Sequence, residues 1–140
     1  MAGELLLDTG ALVSLLDRSQ PRHEEFADFF DSWSGPVAST EAVLTEATHL
    51  LGRVPGGRQA CVDFFSLGGA TLVPTGQATL ARCRELLEKY QDLPMDYADA
   101  TLVVLAEDLN TRRVFTTDHK DFRIYRYREA LPFRILPEDG

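Results

Sequence analysis

The chain has 140 residues, 44% of them hydrophobic and 26% charged, with a formal net charge of −8. That length fits one domain over 1–140, able to bury roughly two-thirds of its unfolded surface. No stretch approaches the ~20 apolar residues of a membrane span, and the overall acidity disfavours non-specific nucleic-acid binding.

Leu5-Leu6-Leu7 marks a buried strand over 4–8, followed by a helix over 11–18 with Leu12, Leu15 and Leu16 on one side. Gln20-Pro21 punctuates the chain. A second helix over 23–33 carries Phe26, Phe29, Phe30 and Trp33 at i, i+3, i+4 and i+7. After the break at Gly35-Pro36, a short strand covers 37–38, and Ser39 or Thr40 caps a helix running to 51. Residues 52–57 form a loop, and the helix that follows, through Phe64 and Phe65, stops at Gly68-Gly69. A strand over 70–73 leads to a helix over 77–90, closed by Leu93-Pro94. The spacing then predicts a helix over 96–109, a strand over 113–117 and a last strand over 132–136. Strands alternating with helices specify an α/β fold with a mostly parallel sheet covered on both faces.

The first residues, Met1-Ala2-Gly3-Glu4, lack the basic region and cleavage site of a signal peptide. Cys61 and Cys83 each fall in a helical segment and read as core thiols of a reducing compartment. Both features place the protein in the cytoplasm. Charge is unevenly spread: residues 112–134 carry +4 and the remainder −12. The basic segment is a solvated surface or a stripe for a phosphate backbone.

Four acidic residues fall where such a fold concentrates ligands, outside the carboxyl ends of its strands. Asp8 follows the Leu5–Leu7 run, and Asp118 follows Val114-Phe115-Thr116-Thr117. A single strand-end aspartate is more often a cap or turn residue; two at matching positions point to a site. Asp99 starts the apolar face of the 96–109 helix, where an unpaired acid is costly unless it ligates a cation. Asp96, three residues earlier, has the spacing of an N-cap and is a secondary ligand. Glu46 lies beside a buried stripe of Val43, Ala47 and Leu50, whereas Glu41 is more exposed; His49 is a possible partner for Glu46. Asp121 is a further carboxylate beside Asp118. Thr9, Thr116 and Thr117 add hydroxyls able to orient a carboxylate or an ordered water.

Taken together, Leu5-Leu6-Leu7-Asp8-Thr9-Gly10-Ala11-Leu12, residues 39–51 with Glu46, Asp96-Tyr97-Ala98-Asp99-Ala100, and Val114-Phe115-Thr116-Thr117-Asp118 with Asp121-Phe122 resemble the PIN-domain ribonucleases. Specifically, they resemble the VapC toxins of bacterial toxin–antitoxin pairs. The resemblance implies a three-layer α/β/α domain and a Mg²⁺- or Mn²⁺-dependent endoribonuclease whose acidic constellation is Asp8, Glu46, Asp99 and Asp118. It also implies a small VapB-like antitoxin and homodimers, both using helices of the first half, where Phe26, Phe29, Phe30, Trp33, Phe64 and Phe65 lie.

Carboxylates sharing one pocket suit a hard divalent cation, and such an ion activates water toward an RNA phosphodiester. Arg112, Arg113, Lys120 and Arg123 are the candidates for holding the RNA backbone. Two other readings compete. One is a non-catalytic module of the same fold that binds RNA or protein. The other is a retroviral-type aspartic protease, suggested by Leu7-Asp8-Thr9-Gly10-Ala11 and faintly by Leu50-Leu51-Gly52-Arg53.

Overall fold

The computed structural model describes residues 3–138. Five strands form one parallel sheet: β1 (Leu5–Leu7), β2 (Val37–Thr40), β3 (Thr71–Val73), β4 (Arg113–Phe115) and β7 (Arg134–Leu136). Their spatial order is β3-β2-β1-β4-β7. The chain therefore steps outward from β1 to β2 and β3, then returns to the other side of β1 for β4 and β7. The reversal leaves a crevice between β1 and β4 at their carboxyl ends, the position where open parallel sheets bind ligands.

Helices α1 (Thr9–Leu16), α2 (His23–Ser32), α3 (Glu41–Leu50), α4 (Gly57–Ser66), α5 (Gln77–Lys89) and α6 (Tyr97–Leu109) fill the connections. β1 is buried at every position, as a central parallel strand must be. Helix α6 is buried continuously from Ala98 to Ala106 and packs against β1, β2, α3 and α5. An all-round apolar helix of this kind belongs inside the protein. Its Thr101 hydroxyl shares a hydrogen bond of 2.9 Å with that of Thr40 at the end of β2. Ser39 donates to the Leu7 carbonyl at 2.6 Å, tying β2 to the end of β1. Among the described residues no helix is long and apolar enough to cross a membrane.

Several boundaries differ from the sequence reading. The first helix starts at Thr9, two residues earlier, and β2 extends to Thr40, whose side chain caps α3. Strand β4 stops at Phe115, and a short helix α7 (His119–Ile124) follows, which periodicity is too brief to reveal. The single strand read over 132–136 is two elements. Leu131–Pro132 (β6) pairs with Arg126–Tyr127 (β5) in an antiparallel ribbon, and β7 joins the main sheet only from Arg134. Phe133, between them, packs edge-on against Phe122 and Tyr127.

Both cysteines are buried free thiols, and burial pushes them upward in pKa. The aromatic residues of α2 divide. Phe26 is buried and stacks on Phe115 at 5.0 Å between centroids, while Phe29 and Phe30, half-buried, lie 5.1 and 6.3 Å from the same ring. Phe115 thus anchors α2 to the sheet one residue before the site begins. Truncating Phe115→Ala should lower stability by about 3–5 kcal/mol in a denaturant titration. A loss under about 1 kcal/mol would mean the aromatic stack does not hold α2 in place.

Candidate active site

The carboxyl ends of β1 and β4 are joined through side chains. The Asp8 amide donates to the Phe115 carbonyl at 3.0 Å. Thr116, fully buried, donates its hydroxyl to Asp8 Oδ2 at 2.6 Å and accepts the Asp118 amide at 2.8 Å. One hydroxyl therefore fixes the rotamer of Asp8 and the backbone of Asp118 together. Asp118 is not the last residue of the strand but the N-cap of α7, its carboxylate accepting the Asp121 amide at 3.1 Å.

Asp99 enters from the start of α6. Asp96 and Asp99 form a reciprocal capping box: the Asp99 amide donates to Asp96 Oδ1 at 2.8 Å, and the Asp96 amide to Asp99 Oδ2 at 3.4 Å. The Tyr125 hydroxyl also donates to Asp99 Oδ2, at 3.2 Å. Tyr125 is fully buried just after α7. Nothing in the local sequence pattern singles it out, because its contact spans 26 residues. Glu46 is half-buried on α3 and Glu41 exposed, as helical phase indicates. Glu46 faces Thr9 and Asp96, whereas His49 is exposed on the same helix.

The leading influences on these carboxyls are burial and one another. Asp8 is raised to about 6, first by burial, with Thr116 and the Thr9 backbone opposing and Asp118 and Glu46 adding to the rise. Asp99 is raised to about 8 by burial and then by the charges of Asp8 and Asp96. Burial likewise raises Glu46 and Asp118; Asp96 pushes on both, and Asp121 on Asp118. The Tyr125 hydroxyl is pushed up by burial and by Asp99. Asp8, Glu46, Asp96, Asp99, Asp118 and Asp121 are thus one electrostatic group. Crowded, desolvated like charges of this kind are what a cation would relieve.

The donor set also suits a particular class of cation. All the side-chain donors here are hard oxygens, and Thr9 Oγ1 is buried beside Glu46 without a well-formed hydrogen bond. Among the described residues no three Asp, Glu, His or Cys side chains stand close enough to cage an ion. Hard oxygen donors of this kind suit a divalent cation that keeps several of its own waters.

Gly10 permits a close approach. A Cβ there would lie 2.0 Å from the Thr117 hydroxyl and 3.3 Å from its Cβ, so a larger residue would force the Thr117 side chain to turn away from the start of α1. Thr117 itself is exposed. The four proposed backbone-binding bases are split by the fold. Lys120 and Arg123 are exposed on α7, which Asp118 caps. Arg112 and Arg113 lie at the amino end of β4, on the opposite edge of the sheet from the carboxylates. The sequence reading set these two beside the acidic site; strand direction removes them from it.

The PIN domain model matches residues 5–128. The chain belongs to the PIN-domain family. Ribonuclease VapC26 of Mycobacterium tuberculosis is 30% identical over 135 residues, 95% of this chain and 100% of that protein. Among solved structures, the sarcin–ricin-loop-cleaving toxin VapC20 of M. tuberculosis superposes with a TM-score of 0.76 at 18% identity, covering 83% of this chain and 91% of its own. VapBC2 of Rickettsia felis, bound to a promoter DNA fragment, gives 0.65 at 16% identity, covering 94% and 98%. A toxin–antitoxin complex from Klebsiella pneumoniae gives 0.62 at 21%, covering 84% and 89%. This PIN fold also removes the aspartic-protease reading. Those enzymes are all-β, whereas Asp8-Thr9-Gly10 here turns a parallel strand into a helix, and Leu51-Gly52-Arg53 is a single 3-10 turn.

The raised carboxyls set a direction of pH dependence. The folded PIN domain retains protons on Asp8 and Asp99 at pH values where the unfolded chain, near 3.8, has released them. Stability therefore falls as pH rises from about 4 through about 8. In chelator, the melting temperature should decline across that window, and Asp99→Asn should flatten the decline. Added Mg²⁺ or Mn²⁺ should raise it most at the alkaline end. A profile that rises with pH in chelator would contradict the assignment.

Proposed function

We propose that this PIN domain is a divalent-cation-dependent endoribonuclease, acting in the cytoplasm as the toxin of a toxin–antitoxin pair. The observation that carries the reading is the pair of desolvated carboxylates, Asp8 and Asp99, set in the strand-order crevice with Glu46 and Asp118. Family membership and the VapC26 relative, named a ribonuclease, support it.

In this reading Asp8 and Asp99 hold Mg²⁺ or Mn²⁺, with Asp118 beside them and Asp96 and Asp121 as flanking carboxylates. Bound there, a divalent ion would neutralise charge at the scissile phosphate and lower the pKa of water beside it. Thr116 keeps Asp8 aimed into the crevice through its 2.6 Å hydrogen bond. Glu46, its carboxyl raised by burial, takes the proton from the attacking water, and the Thr9 hydroxyl beside it orients that water. Attack on phosphorus in line with the 3′-oxygen breaks the P–O3′ bond, and the departing 3′-oxygen takes a proton from solvent, leaving a 5′-phosphate and a 3′-hydroxyl. Lys120 and Arg123 on α7 are placed to meet the neighbouring backbone, with Thr117 at the rim.

A small VapB-like antitoxin and a second copy of the chain are the proposed protein partners. Half-buried Phe29, Phe30, Phe64 and Phe65, with exposed Val62 and Leu67, give α2 and the end of α4 an apolar surface for them. Expression of the chain alone should arrest growth, and co-expression of the small protein encoded beside it should restore it.

The purified protein should linearise a circular RNA in Mn²⁺, which only an endonuclease can do, and chelator should stop it. Asp8→Asn should abolish cleavage while keeping the fold and raising cation-free stability above pH 7. Thr116→Val should cut activity by about 10–100-fold, the range for removing a group that orients a ligand. Undiminished cleavage by Asp8→Asn would overturn the site.

A further inference from the structure

The edge of the sheet opposite the carboxylates holds a concavity of about 270 Å³ lined by Asn110, Thr111, Arg112, Arg113, Tyr127 and Arg134. Its arginines are brought together by strand register. Arg113 of β4 and Arg134 of β7 are direct parallel partners, which sets their Cα–Cβ bonds side by side on one face of the sheet, and the Arg134 amide donates to the Arg112 carbonyl at 2.7 Å. Like charges at directly opposed positions destabilise a sheet pair, so this pairing needs a counter-charge. The protein supplies little of one. Arg134 meets Glu138 at 3.1 Å, but both side chains are more than 60% exposed and such pairs are weak. Arg112 donates to the Pro132 carbonyl at 3.4 Å, and among the described residues Arg113 has no ion-pair partner. Arg128, held in a left-handed conformation at φ 49°, lies over the Tyr127 ring and donates to Asn110 and to the Glu107 carbonyl, outside the lining of this concavity.

Three guanidinium groups around one concavity, in a chain of net charge −8, form a site for a compact, multiply charged oxyanion. The volume admits a phosphate group with part of what carries it, and the Thr111 and Asn110 side chains add polar groups to the wall. We propose that this amino-edge concavity binds a phosphate group, held by Arg112, Arg113 and Arg134, at a site separate from the carboxylate crevice. The phosphate comes either from an RNA backbone passing beyond the cleavage point or from a free phosphate compound. A like-charge pair with little compensation among the described residues is a place where an external anion is favoured.

The proposal does not depend on ribonuclease activity, and its first test does not use it. Inorganic phosphate is titrated into the full chain in chelator at constant ionic strength, against chloride. It should raise the melting temperature by about 3–5 °C at tenfold excess over Kd. Arg113→Gln should melt higher than wild type without phosphate, because the opposed charge is gone, and should lose the phosphate response. Arg134→Gln should do the same, and Arg113→Lys should keep part of it. A variant that merely damaged the fold would melt lower.

A second arm identifies the source. An oligoribonucleotide is bound to the non-cutting Asp8→Asn protein with and without Arg113→Gln over a range of salt. A weaker Kd with a salt slope reduced by about 0.7 assigns the phosphate to RNA. An unchanged slope with the phosphate response lost assigns it to a free compound. Phosphate acting no better than chloride, or Arg113→Gln responding like wild type, would overturn the site. A wild-type chain that cuts no RNA would instead defeat the proposed function and leave the phosphate result standing.

Discussion

The constraint on which the site depends is the desolvation of Asp8. Its carboxylate stands at the end of a strand buried at every position, and it accepts the hydroxyl of Thr116, just past the end of the neighbouring strand. That bond joins residues 108 positions apart and crosses the point where strand order reverses. Water is excluded there because Leu5, Leu6 and Leu7 occupy the centre of the sheet and α6 covers them. The same packing that makes β1 rigid makes its terminal carboxylate costly to ionise, and each further acid brought alongside adds to that cost. Fold stability and the accumulation of charge at this point oppose one another.

The start of α6 shows how the protein contains this opposition. Asp96 and Asp99 are partners in a capping box, so their carboxylates satisfy amides that the helix leaves unpaired. The positive end of the helix dipole also favours negative charge there. The capping box is the structural role of this pair, and it leaves both carboxylates at the end of the crevice where the proposed cation would sit. Tyr125 adds a buried donor to Asp99 and packs tilted against Tyr90 and edge-on against Phe122, so the acid is held by aromatic packing as well as by its own helix.

Charge is divided between the two edges of the sheet. Strand direction delivers carboxylates to one edge through Asp8 and Asp118 and arginines to the other through Arg113 and Arg134. Sequence position conceals this separation, because Arg113 and Asp118 are only five residues apart. Three residues of extended strand followed by a turn carry the chain roughly 10–15 Å, from one side of the molecule to the other.

By itself the sequence determined most of the longer elements and offered the acids as candidates. The apolar runs and helical spacings are local properties, and they suffice to specify an α/β protein with a parallel sheet. Helical phase alone separates Glu46 from Glu41, because burial on a helix repeats with its turn. What the sequence could not decide depends on contacts between distant segments. Strand order, the split of the last segment into β6 and β7, the role of Tyr125 and the placing of Arg112 and Arg113 away from the acids all belong to this class. The roles of Thr116 and Gly10 do as well, since a hydroxyl that spans two strands and a missing Cβ acquire meaning only once β4 lies beside β1. Spacing encodes which face a residue takes within its own element; only packing decides which elements then share an edge.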